Sequence, residues 1–112
     1  MILENETMEQ LKERLNSSSK YLQSNDMRVI DVHEGYAKVE MIIDEQILNG
    51  HGFVHGGALF SLGDTAAGAA SFATGRDSVT LSASINYIKP GIGGKLIAIA
   101  QEISRGRTTG VY

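Results

Sequence analysis

An α+β domain, with one antiparallel sheet wrapped around a long central helix, follows from three features of this 112-residue chain. Apolar residues alternate with polar ones over residues 27–43 and again over 95–103, the period of strands that bury one face. Between them, residues 55–74 form a stretch rich in Ala, Gly, Leu and Phe, too long for a strand and apolar on nearly all sides. The order helix, hairpin, long helix, run of strands places that helix across the concave face of a curled sheet.

Each element has its own local cause. Thr7 and Gln10 have the spacing of a capping box, and Met8, Leu11 and Leu15 recur at helical intervals, so residues 7–19 are predicted as a short amphipathic helix. Val29 and Val32 precede a Glu34-Gly35 turn, after which Ala37, Val39, Met41 and Ile43 alternate with Tyr36, Lys38, Glu40 and Ile42, giving a hairpin. Residues 44–54 have no clean period and contain Asn49-Gly50 and Gly52, which predicts a loop delivering the chain to the central helix. That helix begins at Gly56-Gly57 and ends near Thr74-Gly75. Residues 79–88, dense in β-branched and aromatic side chains, read as a long strand stopped by Pro90, Gly91, Gly93 and Gly94. A further strand at 95–103 turns Leu96, Ala98 and Ala100 to one side, and another begins at 107–112. There is no repeat, linker or low-complexity segment, so residues 1–112 are read as one domain with its core over about 27–112.

Composition narrows the function classes. The chain has no cysteine, which removes disulfides, thiolate metal sites and a cysteine nucleophile. Its early acidic residues exclude a secretory signal, and no apolar run reaches membrane-spanning length, so the expectation is a soluble cytoplasmic protein without membrane partners. A domain this small gains from association, and at least a dimer is expected. The net charge of −3 is unevenly spread: residues 1–64 hold 5 basic and 11 acidic side chains, residues 65–112 hold 5 and 2. Lys89, Lys95, Arg105 and Arg107 thus suit the phosphates of an anionic ligand, whereas the acidic total and sparse aromatics disfavour nucleic acid.

The chemistry concentrates in HGGALFSLGDTAAG, residues 55–68. Two glycines leave backbone N–H groups uncovered where the helix begins, and those donors, with the positive end of the helix dipole, suit an oxygen gaining negative charge. Asp64 lies about two turns further on, too deep for the dipole, and Phe60, Ser61, Ala67 and Gly68 offer it no cation at helical spacing. With apolar neighbours on most sides, it is expected to be a carboxylate held out of water. His51 and His55 are four apart, but Gly52 and the absence of an intervening glutamate set aside a zinc site; His55 is read as bracing the glycine turn through its ring. Ser61 and Thr65 lack a nucleophile elbow and are read as packing residues, and His33 as a surface residue. Phe53 and Phe72 are candidate pocket walls.

Three stretches, LNGHGFVHGGALFSLGDTAAG at 48–68, SINYIKPG at 84–91 and RGRTTGVY at 105–112, together resemble the hotdog-fold acyl-CoA thioesterases of the phenylacetic-acid-degradation type. The resemblance implies a hotdog fold and hydrolysis of acyl-CoA to free acid and CoA, with CoA as part of the substrate and no separate cofactor or metal. It places the nucleophile or general base on Asp64, the oxyanion donor on the backbone N–H of Gly56, a carbonyl- or water-placing amide on Asn49 and a water-assisting hydroxyl on Thr80. It also implies a homo-oligomer, dimer or dimer of dimers, with Asp64 of one subunit facing Gly56 and Asn49 of another. Relatives continue past the position of Tyr112 through the rest of that strand and about one more, so the C-terminal strands are expected to be truncated. The same constellation admits a hydratase or dehydratase acting on enoyl or hydroxyacyl thioesters, with His55 beside the carboxylate, or a non-catalytic acyl-CoA-binding protein.

Overall fold

The computed structural model describes residues 3–112. Helix α1, Met8–Ser18, starts as its sequence predicts: the Thr7 hydroxyl accepts from Gln10 N at 3.1 Å, and the Gln10 side chain accepts from Thr7 N at 2.9 Å. A short helix α2, Lys20–Ser24, follows. Strands β1, Met27–His33, and β2, Tyr36–Ile42, form the predicted hairpin, closed by Gly35 at φ 73°, a left-handed conformation that glycine adopts without penalty. Strand β3, Lys95–Gln101, pairs antiparallel with β2, giving a sheet ordered β1-β2-β3. Beyond it, Ser104–Arg105 (β4) and Gly110–Val111 (β5) make a two-residue ladder.

Val29 and Val32 are both buried although three residues apart, which a regular strand cannot achieve. The register slips between Val29 and Asp31, and this bulge returns Val32 to the inner face. The outer edge of β1 at Val29 is closed by α1: Asn16 Nδ2 donates to Val29 O at 2.8 Å, and Asn16 Oδ1 accepts from Val29 N at 2.7 Å. One amide side chain thus stands in for a neighbouring strand.

The long helix α3, Gly56–Phe72, lies on the inner face of the sheet. Leu62, Ala66, Ala69 and Ala70 are buried against Val39, Met41 and Ala37 of β2, small residues that let helix and sheet backbones approach closely. The expectation that this helix is covered nearly all round does not hold. Only one stripe of it is buried, because a three-stranded sheet has width enough to cover one side of a helix.

A second correction concerns residues 79–88. They carry a strand's composition but make no ladder among the described residues, and Val79, Leu81 and Ile88 are 94%, 86% and 85% exposed. Residue preference suits a pleated surface without supplying the second backbone that a ladder requires. No helix among the described residues is long and apolar enough to cross a membrane.

Candidate functional site

The start of α3 is built by a loop that closes on itself. Asn49 Oδ1 accepts from His51 N at 2.9 Å and Phe53 N at 3.2 Å, Asn49 N donates to Phe53 O at 2.7 Å, and Leu48 bridges Val54. Gly52, at φ 80°, makes the reversal, and His55 N then donates to Ile47 O at 2.7 Å. Asn49 therefore shapes the loop with its carbonyl oxygen and keeps its amide nitrogen unengaged among the described residues.

His55 is the N-cap of α3. Its ring Nδ1 accepts from Gly57 N at 2.9 Å, which fixes the neutral tautomer with the proton on Nε2 when that bond is made. The first four N–H groups of a helix lack partners within it, and here three are satisfied: His55 N by Ile47 O, Gly57 N by the His55 ring, and Ala58 N by His55 O at 2.9 Å. Gly56 N–H alone has no acceptor among the described residues. It sits at the positive end of a 17-residue helix, where an anion is favoured.

Asp64 lies on α3 about 200° around from Ala66, hence away from the sheet. It is exposed in the chain, which corrects the expectation of a carboxylate withheld from water. The reason is the same incomplete cover that leaves this side of α3 open, where a methyl group added to Gly63 or Gly68 would meet nothing within 4 Å. Thr80 Oγ1 donates to Asp64 Oδ1 at 2.6 Å, so the 79–88 segment, which makes no ladder, is tied to the helix at the carboxylate. That bond fixes one carboxylate oxygen and leaves Oδ2 open.

Gly56 and Asp64 stand eight positions apart on α3, about 12 Å along the axis. A carbonyl oxygen held by one and a water held by the other would need to lie within about 3 Å of each group. The two groups of a single chain are too far apart to act on one thioester.

The predicted cations separate into two kinds. Arg105 differs from its expected phosphate-binding role: its Nε lies 2.9 Å from Glu102 Oε2 and its Nη1 2.9 Å from Glu34 Oε1, joining the hairpin turn to β4. Hydrogen bonds it donates to the Glu102 and Glu34 carboxylates drive its pKa further up, as expected for a structural cation. Lys95 pairs with Glu40 at 3.4 Å. Arg107 is exposed, with no partner among the described residues, and Lys89 lines a cleft of about 240 Å³ between α3, β3 and residues 85–89, walled by Leu59, Leu62, Ile85 and Leu96. A smaller hollow of about 180 Å³ opens beside His55 and Gly57, between Met27, Met41 and Tyr21. Neither Phe53 nor Phe72 lines either space.

His51 is exposed, and His33 stacks on Tyr36 at 4.4 Å on the surface of the hairpin. Among the described residues there is no cluster of three His, Cys, Asp or Glu side chains able to hold a metal ion. Ser61, read from sequence as a packing residue, shares a 2.7 Å hydrogen bond with Tyr21 of α2. Tyr87, which sequence reasoning passed over, donates its hydroxyl to Gly56 O at 2.9 Å. Its signal in the sequence was only an aromatic in a strand-like run, and its partner is 31 residues away.

Known proteins resemble this chain in sequence and fold. A family model described as the thioesterase superfamily matches residues 51–112. A putative esterase of Archaeoglobus fulgidus is 37% identical over 106 residues, 94% of this chain and 69% of that protein. The acyl-coenzyme A thioesterase PaaI of Escherichia coli is 44% identical over 85 residues, 75% of this chain and 61% of that protein. This chain therefore spans about two thirds of the length of these relatives. Among solved structures, the Escherichia coli PaaI protein of the phenylacetic acid degradation operon superposes with TM-score 0.77 at 35% identity, covering 89% of this chain and 78% of that one. A Streptococcus mutans protein bound to acetyl CoA superposes with TM-score 0.71 at 38% identity, covering 75% and 68%.

Proposed function

The chain belongs to the thioesterase superfamily, in its phenylacetic-acid-degradation type, and on that premise we propose that it hydrolyses acyl-CoA thioesters to free acid and CoA. The observation that carries the reading is the N–H of Gly56, unengaged among the described residues, at the start of the same helix that holds out the Thr80-tethered carboxylate of Asp64. Hydrolysis of a thioester needs those two groups and little else, since a thiolate leaves readily.

In this mechanism the thioester carbonyl oxygen takes the Gly56 N–H, which stabilises the negative charge that develops on it as the carbon becomes tetrahedral. Asp64 Oδ2 either removes a proton from the attacking water or attacks the carbon itself, forming an anhydride that water then opens. Thr80 holds the other oxygen and so sets the carboxylate plane. Collapse of the tetrahedral species expels the CoA thiolate. The Asn49 amide nitrogen, free of the loop it shapes, is a second donor for the carbonyl or the water. Lys89 and Arg107 are the side chains we assign to the CoA phosphates, in keeping with a relative that binds acetyl CoA.

The axial rise of about 12 Å from Gly56 to Asp64 supports a site completed by two copies, with Asp64 of one subunit opposite Gly56 and Asn49 of the other, in a dimer or a dimer of dimers. The test is thiol release from a panel of acyl-CoAs, followed with a thiol-reactive dye. Wild-type protein is expected to release thiol, and Asp64→Ala to lower kcat by at least ~10²-fold. Undiminished release by the variant refutes the role of Asp64. An intact thioester after long incubation with tightly bound wild type points instead to a non-catalytic binder, and water addition to crotonyl-CoA to a hydratase.

A further inference from the structure

Tyr87 and His55 each bond to the glycine pair that begins α3. Its hydroxyl donates to Gly56 O at 2.9 Å, and its ring lies against the same residue: a methyl group on the Gly56 Cα would stand 3.2 Å from Tyr87 Cζ and 3.3 Å from its oxygen. The ring is 53% exposed, so this contact is not core packing. The peptide unit between Gly56 and Gly57 is thereby held at both ends, its carbonyl by the Tyr87 phenol and its N–H by the His55 ring at 2.9 Å.

Two consecutive glycines are the most freely rotating pair a chain can contain, and a first helical turn frays more readily than any other part of a helix. An oxyanion donor stabilises a transition state only if its direction is set beforehand, because reorganisation during the reaction would consume the gain. A second tether runs beside the first. Val54 N donates to Gly91 O at 2.9 Å, and Gly91 approaches so closely that a methyl on it would stand 2.9 Å from the Val54 Cβ. Residues 87–91 therefore form a strap across the entry to α3, with Tyr87 touching the residue that carries the unengaged donor.

We infer that Tyr87 is a positioning residue for thioester hydrolysis: by holding the Gly56 carbonyl and packing on the Gly56 Cα it limits rotation about the Gly56 backbone bonds that join the Gly56–Gly57 peptide to the His55–Gly56 peptide, whose N–H is the oxyanion donor. The inference rests on the thioesterase reading above, and it gives Gly56 a reason to lack a side chain, namely the ring that occupies the space.

The experiment compares wild type, Tyr87→Phe, Tyr87→Ala, Gly56→Ala and the double variant Tyr87→Ala/Gly56→Ala in the thiol-release assay, with Tm measured for each. Tyr87→Phe keeps the ring and removes one neutral hydrogen bond. It is expected to lower kcat about three- to tenfold while KM stays within about twofold and Tm is unmoved. Gly56→Ala retains the N–H but displaces the ring, so it is expected to lower kcat further; added to Tyr87→Ala it should cost almost nothing more, since the ring is already gone. Wild-type kcat in Tyr87→Phe, a change confined to KM, or strictly multiplicative effects of the two alanine substitutions would overturn the inference. If wild type works and depends on Asp64 while Tyr87→Phe is unaffected, Tyr87 alone is refuted. No thiol release by wild type from any acyl-CoA removes both readings.

Discussion

Replacing Asn16 by alanine removes two hydrogen bonds at once, the 2.7 Å bond from Val29 N and the 2.8 Å bond to Val29 O. Val29 is 1% exposed and lies beside the bulge of β1, where α1 covers the strand. Each lost bond costs about 1 kcal/mol net, and a backbone group left unsatisfied beneath α1 costs about 1–3 kcal/mol where water is excluded. The sum is about 3–5 kcal/mol, a large fraction of the stability of a domain this size. Urea unfolding followed by far-ultraviolet circular dichroism measures it. With a slope of roughly 2 kcal/mol per molar urea, the midpoint should fall by about 1.5–2.5 M at unchanged slope. Asn16→Asp preserves the acceptor for Val29 N–H but loses the donor to Val29 O, so it should remain destabilised and fall short of wild type. A loss below about 0.5 kcal/mol in Asn16→Ala would show that water replaces the side chain fully, refuting the account of Asn16 as a surrogate strand.

Two further outcomes follow from packing and charge. Ala70, fully buried against the sheet, has no room for more atoms, so Ala70→Leu should destabilise by about 1–3 kcal/mol, checked by the same urea titration. Hydrogen bonding to Arg105 holds the Glu102 carboxyl below its ordinary value of 4.5, and Arg14 does the same for Glu6. Such groups contribute stability that is complete above the unfolded value and is lost as pH falls through the lower folded value, so Tm should drop from about pH 5 downward, and Glu102→Gln should flatten that drop. Asp26, raised by its hydrogen bond with Asp44, works in the opposite sense; Asp26→Asn should therefore steepen the acid loss.

Local chemistry was legible wherever the cause lies within a few residues. The capping box of Thr7 and Gln10, the turn at Gly35, the ring of His55 on Gly57 N and the alternation of Ala37, Val39 and Met41 each depend on neighbours in sequence. Asp64 and Gly56 could be singled out for the same reason, since a carboxylate without a cation at helical spacing and a paired glycine at a helix start are visible in the letters.

What could not be read in the letters is whatever depends on a distant backbone. Val32 joins Val29 inside only because the strand bulges, and the bulge edge is closed by an amide thirteen residues earlier. Arg105 has the composition of a ligand-binding cation, but the carboxylate that engages its Nη1 lies 71 residues away. Residues 79–88 have every preference of a strand, yet a ladder needs a second row of donors and acceptors, and preference for a pleated surface does not supply one. Most of the elements, their order and the two groups to which we assign the proposed chemistry thus follow from the run of residues alone. Packing settled the rest: which side of α3 is open, that Asp64 stands in water tied to Thr80, and that Tyr87 reaches Gly56, because solvent exposure and contacts between distant residues are properties of how the elements are stacked.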